Sequence, residues 1–388
     1  MISHPRITQA ETLQPPSSEA VGAILRAANA EGREVSTSKA ARANALRLDL
    51  RGLKAIEQYD PGDLTIRVQA GARVQDVLAV LAQHRQMLPW DMPGAQENGA
   101  TIGGVLASAA HGPMRASFGG VREYCIGMQF ATADGTLAQS GGMVVKNVAG
   151  YDLMKLLIGS RGTLGIITSA NFKVFPLPRR SSTFVAEFGS SGEAIKFAQT
   201  VRRSALTPLR LELASPGSAA HIHRWSILTT VAGSQTIIER YRRELSNAVP
   251  ELLELTAEED AAVWRALNDV YWSSFISDGP ALIVDVSSTM VSTGAACKAI
   301  QDAANRTKSH VTIHGRAGIG NLIGIFHPDC GAGPCEILAH LRRTMPPDAF
   351  VHVVYPRTAI DVSQNIGMQI VKRALDPKNI LNPGAATL

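Results

Sequence analysis

Gly99-Ala100-Thr101-Ile102-Gly103-Gly104 opens the stretch on which the fold turns; Lys146-Asn-Val-Ala-Gly-Tyr-Asp-Leu153 and Gly159-Ser-Arg-Gly-Thr-Leu-Gly-Ile-Ile-Thr168 complete it. The region runs from Gly94 to Pro178, and its glycines stand between β-branched runs, not in low-complexity repeats. Glycine has no Cβ, so backbone N–H groups there can approach a ligand closely. Gly99, Gly103 and Gly104, with the Thr101 hydroxyl, suit an anion nest, and Asp152 with the Gly162-Thr163-Leu164-Gly165 turn suits the rest of a nucleotide. There is no strand–GxGxxG–helix unit and no Walker lysine motif. A nucleotide held outside those two frameworks uses all of these glycines; glycine turns serving architecture alone are the alternative.

Working outward, the 388 residues and 45% hydrophobic content support two cores more readily than one. The net charge of +5 is spread along the chain, with no dense aromatic-interleaved basic patch. Nucleic-acid binding is therefore disfavoured, and an acidic substrate, an anionic cofactor or an acidic partner subunit accounts for the charge equally well. Cys125, Cys297, Cys330 and Cys335 show no CxxC spacing, which fits a reducing compartment and excludes an iron–sulfur or zinc cage built by this chain alone. No apolar run reaches a membrane span, and residues 1–16 lack a signal-peptide core. The expected location is cytoplasmic.

A helix is expected over Ser17 to Glu31, then a short strand at Glu34-Val35. A strand pair follows at Ala45 to Leu50 and Leu64 to Gln69, and a helix over Val74 to Gln83. The glycine-rich region reads as short strands and turns, with a hairpin at Asp134-Gly135, a helical turn at Asp152 to Leu157, and strands at 164–168 and 171–175. Beyond Pro176 and Pro178 the texture becomes strand–helix–strand. The units are 183–188 with 192–203 and 209–213; 226–231 with 235–247 and 252–255; and 281–287 with 293–305 and 310–314. Helices on one face of a small antiparallel or mixed sheet satisfy that alternation. The reading is α+β, with domains at 1–178 and 179–356. A tail over 357–388 carries a helix at 364–375 and Asp376-Pro-Lys-Asn-Ile-Leu-Asn-Pro-Gly384.

Taken together, the motifs at 99–104, 146–153 and 159–165 resemble the FAD-binding domain of the vanillyl-alcohol-oxidase (PCMH) type, shared by FAD-linked hydroxyacid dehydrogenases. They resemble most of all the FAD-binding subunits, conventionally the E subunits, of bacterial glycolate oxidases, and the tail resembles that family's closing signature. The resemblance implies two β-rich lobes clasping a non-covalent FAD, with a second α+β domain capping the flavin ring. It places FAD contacts at Ser38 and Lys39 in the first lobe, where the loop Ser36 to Ala41 departs from the family's glycine-rich form. In the second lobe it places them at Gly99, Ala100, Thr101, Ile102, Gly103, Gly104, Ser108, Gly112, Tyr151, Asp152, Gly162, Thr163, Gly165 and Ile167, and in the tail at Asn382. His111 stands in the second lobe, whereas covalent attachment in the family usually uses the first-lobe loop, which has no histidine here.

Ile313-His-Gly-Arg-Ala-Gly-Ile-Gly-Asn-Leu-Ile323 resembles the family's His-Ala-Gly-Asp-Gly-Asn-Leu-His segment, but Arg316, Ile319 and Ile323 replace its polar groups. Arginine and isoleucine cannot ligate a metal, so no metal site is expected. Oxidising a 2-hydroxy acid needs a base for the hydroxyl proton and a cation for the carboxylate. Arg115 and Arg316 are the candidates for the cation, His111 and His314 for the base.

Two function classes stay open on this reading. One is a flavin-bearing subunit of a multi-subunit glycolate oxidase (glycolate to glyoxylate), beside a catalytic flavoprotein subunit and an iron–sulfur subunit, touching the inner membrane face only through those partners. The other is a self-sufficient FAD-linked 2-hydroxy acid dehydrogenase. A scaffold that has lost its flavin is a third reading, against which the intact glycine turns argue.

Overall fold

The computed structural model describes residues 11–37, 44–91, 99–143, 152–219, 222–249, 251–273, 282–327, 333–355 and 366–383. The first helix, Ser18–Glu31, begins where the Ser17 side chain accepts the Ala20 amide at 3.2 Å, and it ends at Gly32 with φ of 65°. A hydroxyl N-cap and a left-handed glycine C-cap are the expected terminators. The helix buries Val21, Leu25 and Ala28 against a parallel sheet of Thr12–Leu13, Leu46–Leu48 and Val35–Ser36. Ile380 and Leu381 from the tail join the same core.

A second sheet is antiparallel, ordered Ile56–Asp60, Thr65–Gln69, Ile166–Lys173, Cys125–Ala131, Leu137–Gly141. The expected pairing of 45–50 with 64–69 is corrected here. Leu46–Leu48 lies in the parallel sheet, and Thr65–Gln69 pairs instead with Ile56–Asp60 and Ile166–Lys173. Asp60-Pro-Gly62 is the hairpin turn between the former two strands, its Asp60 carboxylate accepting the Gly62 and Asp63 amides. The two strands expected at 164–168 and 171–175 are one strand followed by a short Phe175–Pro176 piece.

The Gly99 region also departs from the expected strands and turns, since a helix runs over Ile102–Ser108. Thr101 caps it by accepting the Gly104 amide at 3.2 Å, and Gly103 lets it seat against Ala70, where a Cβ would lie 3.0 Å from the Ala70 Cβ. Tertiary packing and the cap outweigh the poor helix propensity of two glycines.

The larger sheet has eight antiparallel strands, ordered Leu252–Glu254, Ser181–Phe188, Trp225–Ala232, Arg210–Ala214, Val311–Gly315, Asn321–Phe326, Leu282–Ser287, Phe350–Tyr355. Helices Ser191–Arg203, Gln235–Ser246, Thr293–Thr307 and Pro334–Thr344 supply one core with Leu211, Leu213, Val284, Val286, Ile313, Leu322 and Val353. Alternation by two sends the intervening side chains to the opposite face, which is covered in part by the helix Ala257–Ser273 through Val263, Trp264 and Leu267 and elsewhere meets the N-terminal half of the chain. That face carries Arg210, Glu212, His314, Ile323, Asp285 and His352. Among the described residues no helix is long and apolar enough to cross a membrane.

Candidate active site

Residues of the larger sheet's second face meet the segment after the Ile102–Ser108 helix. His111 Nε2 lies 3.4 Å from Asp285 Oδ2. Asp285 Oδ1 accepts Asn321 Nδ2 at 2.5 Å, and Asn321 Oδ1 accepts the Arg316 guanidinium. Arg316 is only 1% exposed and ranks with the largest fully buried side chains of the described chain. Arg115 completes the group: its side chain makes no hydrogen bond or close ion pair among the described residues, and its charge is felt at His111. The structure thus brings His111, Arg115 and Arg316 together around Asp285, a residue that the sequence reading missed.

The electrostatics follow from this packing. Burial, then the Arg316 charge, pull the His111 pKa below its ordinary value, against the opposing hydrogen bond to Asp285. Burial works to raise the Asp285 pKa, but the His111 hydrogen bond and charge, Arg316 and Asn321 together hold it well below the usual carboxylate range. Burial and the nearby Arg316 charge also lower the Arg115 pKa. An imidazole facing a carboxylate through Nε2 keeps its proton there and leaves Nδ1 as the acceptor. His111 Nδ1 is buried and has no partner. Arg115 and Arg316 both act on Asp285, and Glu123 acts on Arg115 as well, so two guanidiniums line a pocket whose carboxylates lie on its rim.

His314 stands elsewhere on the same face. Its Nδ1 lies 3.2 Å from Glu212 Oε1, both side chains are buried, and Ile323 separates it from Asp285 in the cross-strand row. Two strand spacings put that separation at about 10 Å. His352, paired with Asp285 across the next strand, takes Arg161 Nη2 at 3.0 Å on its Nε2. Burial and the Arg161 charge push its pKa down to about 4.

The expected cofactor residues divide by environment. Asn382 Nδ2 donates to the carbonyls of Arg161 at 3.1 Å and Gly162 at 3.0 Å, and its Oδ1 accepts the Thr37 amide at 3.0 Å. Gly162, at φ of 70°, admits this because a Cβ would lie 2.5 Å from Asn382 Nδ2. Lys372 Nζ adds bonds to the Thr163 carbonyl at 2.8 Å, the Leu381 carbonyl at 3.0 Å and Asp376 Oδ2 at 2.5 Å. First lobe, second lobe and tail are therefore fastened at one point. Thr163 is buried with its hydroxyl on the Ser160 carbonyl, while Gly165 and Ile167 pack into the second-lobe core.

The helix-start amides do not form the expected open nest, because those of Ile102, Gly103 and Gly104 bond to the Ala72 carbonyl, the Ala70 carbonyl and the Thr101 hydroxyl. The Ala100 carbonyl accepts the Val74 amide, and the Ser108 hydroxyl bonds back to the Gly104 carbonyl. Gly99, at φ of 68°, is the position open to a neighbour, since nothing lies within 4 Å of a Cβ built there. Asp152 is exposed and paired with Lys155. Gly112 packs against Asp91. Ser38, Lys39 and Tyr151 lie outside the described residues.

A dinucleotide with a polar ring fits these features. The seam holds buried, unpartnered atoms at His111 Nδ1, His314 Nε2, His352 Nδ1 and Arg316 Nε, and the lobe loops that a flavin would bridge are tied together beside them. Among the described residues no group of three or more His, Cys, Asp or Glu could hold a metal.

Comparison with known proteins gives the class. Residues 10–141 match the FAD binding domain family, and residues 177–332 and 365–386 match the C-terminal domain of FAD linked oxidases. The chain has the PCMH-type FAD-binding fold, and FAD is its cofactor. Over 134 residues it is 42% identical to glycolate oxidase subunit GlcE of Escherichia coli, covering 34% of this chain and 38% of that protein. Glycolate oxidase subunit GlcD of Bacillus subtilis is 25% identical over 373 residues, 86% of this chain and 77% of that one. D-lactate dehydrogenase of Archaeoglobus fulgidus is 30% identical over 209 residues, 52% and 46% of the two chains. The match thus spans less than half the length of the first and third of these relatives. Alkyldihydroxyacetonephosphate synthase superposes with a TM-score of 0.71 at 16% identity over 96% of this chain and 75% of that one. Glucooligosaccharide oxidase of Acremonium strictum superposes at 0.68 and 13%, over 98% and 92%.

Proposed function

We propose that this chain is the FAD-binding subunit of a multi-subunit glycolate oxidase of the E-subunit kind, oxidising glycolate to glyoxylate and passing electrons to an iron–sulfur partner beside a catalytic flavoprotein subunit. The observation that carries the chemistry is the partly buried His111–Asp285–Asn321–Arg316 cluster with Arg115 beside it. The 42% identity to the Escherichia coli subunit supports the assembly.

In this reading Arg115 and Arg316 hold the substrate carboxylate. A carboxylate there accepts from Arg316 Nε, which has no partner, and from Arg115, and a small acid suits the partly buried seam. His111 takes the hydroxyl proton at Nδ1, the atom left bare by the Nε2 contact to Asp285. Asp285, ionised, fixes the imidazole tautomer and steadies the imidazolium once the proton has arrived. FAD, when bound, supplies the two-electron acceptor for the hydride that leaves the carbinol carbon. The second face of the larger sheet, through Asp285, covers one side of the site.

The intact His111–Asp285 pair favours a second reading, a self-sufficient FAD-linked 2-hydroxy acid dehydrogenase, since a base and a carboxylate anchor stand together in one chain. Purification decides between them. The subunit reading predicts a yellow protein that reduces an artificial dye poorly with glycolate alone and well after co-expression with its partners. Fast turnover by the isolated chain supports the second reading.

A further inference from the structure

The segment bearing His111 and Arg115 is held from behind by one carboxylate. Asp91 accepts the Met114 amide on both oxygens, at 2.9 and 3.2 Å. Gly112 sits so close that a Cβ would lie 2.3 Å from the Asp91 carbonyl and 2.4 Å from its Oδ1. Asp91 Oδ2 also accepts Arg210 Nε at 2.9 Å, from the second face of the larger sheet. Arg210 is steadied in turn over the Trp264 ring, 4.8 Å from its centroid. On the far side of Arg115, the Ser117 hydroxyl donates to the Pro208 carbonyl at 2.5 Å, two residues before Arg210. The 111–117 segment is thus braced against the larger sheet at both ends, and its bonds to Asp91 leave His111 free to face Asp285.

We propose that Asp91 is a positioning residue: shared between the Met114 amide and Arg210, it sets where His111 and Arg115 stand, so that the site is complete only when the larger sheet is docked. This rests on the reading of His111 and Arg115 given above. Geometry is the reason one carboxylate matters, since a displacement of about 1 Å in a catalytic group can cost about a hundredfold in rate. An amide at this position keeps an acceptor for Met114 but loses the charge that fixes Arg210.

The test uses the FAD-loaded protein, co-expressed with its partners where turnover needs them. Asp91→Asn is expected to keep its flavin while KM for glycolate rises at least tenfold and kcat falls by about a hundredfold. The Kd for oxalate, a carboxylate that cannot be oxidised in this way, read from the flavin difference spectrum, should rise in parallel. A merely structural role would lower the yield of active sites and leave KM and Kd alone. Arg210→Lys, which keeps the charge on a partly exposed side chain, is expected to move both constants in the same direction and serves if the first variant does not fold. Unchanged KM and oxalate Kd in these variants, while Arg115→Met raises both, overturn the proposal and leave the site reading standing. Unchanged constants in Arg115→Met as well overturn both.

Discussion

At the scale of single residues, His111 and Asp285 carry the proton chemistry. Replacing His111 with Phe removes the acceptor and is expected to lower kcat by about 10²- to 10⁴-fold with FAD still bound, measured as glycolate-dependent dye reduction. Because burial and Arg316 depress the His111 pKa, the base stays neutral below the ordinary histidine range. The acid limb of the kcat/KM profile should therefore fall only below pH about 6.5. His352 gives a separate test. Its folded-state pKa of about 4 lies below the ordinary value, so as pH falls the unfolded chain takes the proton first. The His352 contribution to stability is full above pH about 6.5 and is lost as pH falls towards about 4. His352→Gln should flatten the drop in melting temperature over that window.

At the scale of elements, the tail and the larger sheet decide where these residues stand. Asn382 and Lys372 tie Thr37, Arg161, Gly162 and Thr163 into one knot. Asn382→Ala leaves the Thr37 amide and two carbonyls without that partner, a loss of about 1–3 kcal/mol for each buried group left unsatisfied. It should lower the melting temperature and the FAD-to-protein ratio after gel filtration; an unchanged ratio would show that the knot does not hold the flavin loops. Local signals made much of this scale legible. Ser17 and Gly32 bound their helix, Asp134-Gly135 marks its hairpin, and the strand–helix alternation after Pro178 gives the sheet and the helices of its first face; the expectation of helices on one face alone is corrected by Ala257–Ser273, which packs Val263, Trp264 and Leu267 on Val185, Ala214 and Leu228 of the other. The Ile102–Ser108 helix escaped because Gly103 and Gly104 read as turn residues, while its stability comes from Ala70 and the Thr101 cap. Strand partners escaped for a similar reason, since Leu46–Leu48 reads equally well beside either neighbour.

At the scale of the whole molecule, the site exists only where two units meet, and sequence does not record that meeting. Asp285 is a single acid in the apolar run Leu282-Ile-Val-Asp-Val-Ser287, and Glu212 is likewise alone in Leu211-Glu-Leu213. Each such strand hints at one polar side chain on the second face. Which helix or loop that side chain greets depends on strand order across more than a hundred residues. His111 and Arg115 were legible as chemical types, and Arg316 as a departure from a familiar motif. Their convergence on Asp285, and the separation of His314 from it by Ile323, required the assembled sheet.

The central claim is that this seam binds a small 2-hydroxy acid against FAD and removes its proton. Anaerobic mixing of the FAD-loaded protein with glycolate, its partners present, reports this through the bleaching of the oxidised flavin absorbance. Bleaching in the wild type, slowed by about a hundredfold or more in His111→Phe, is the predicted result; a flavin that glycolate bleaches equally fast in that variant contradicts it.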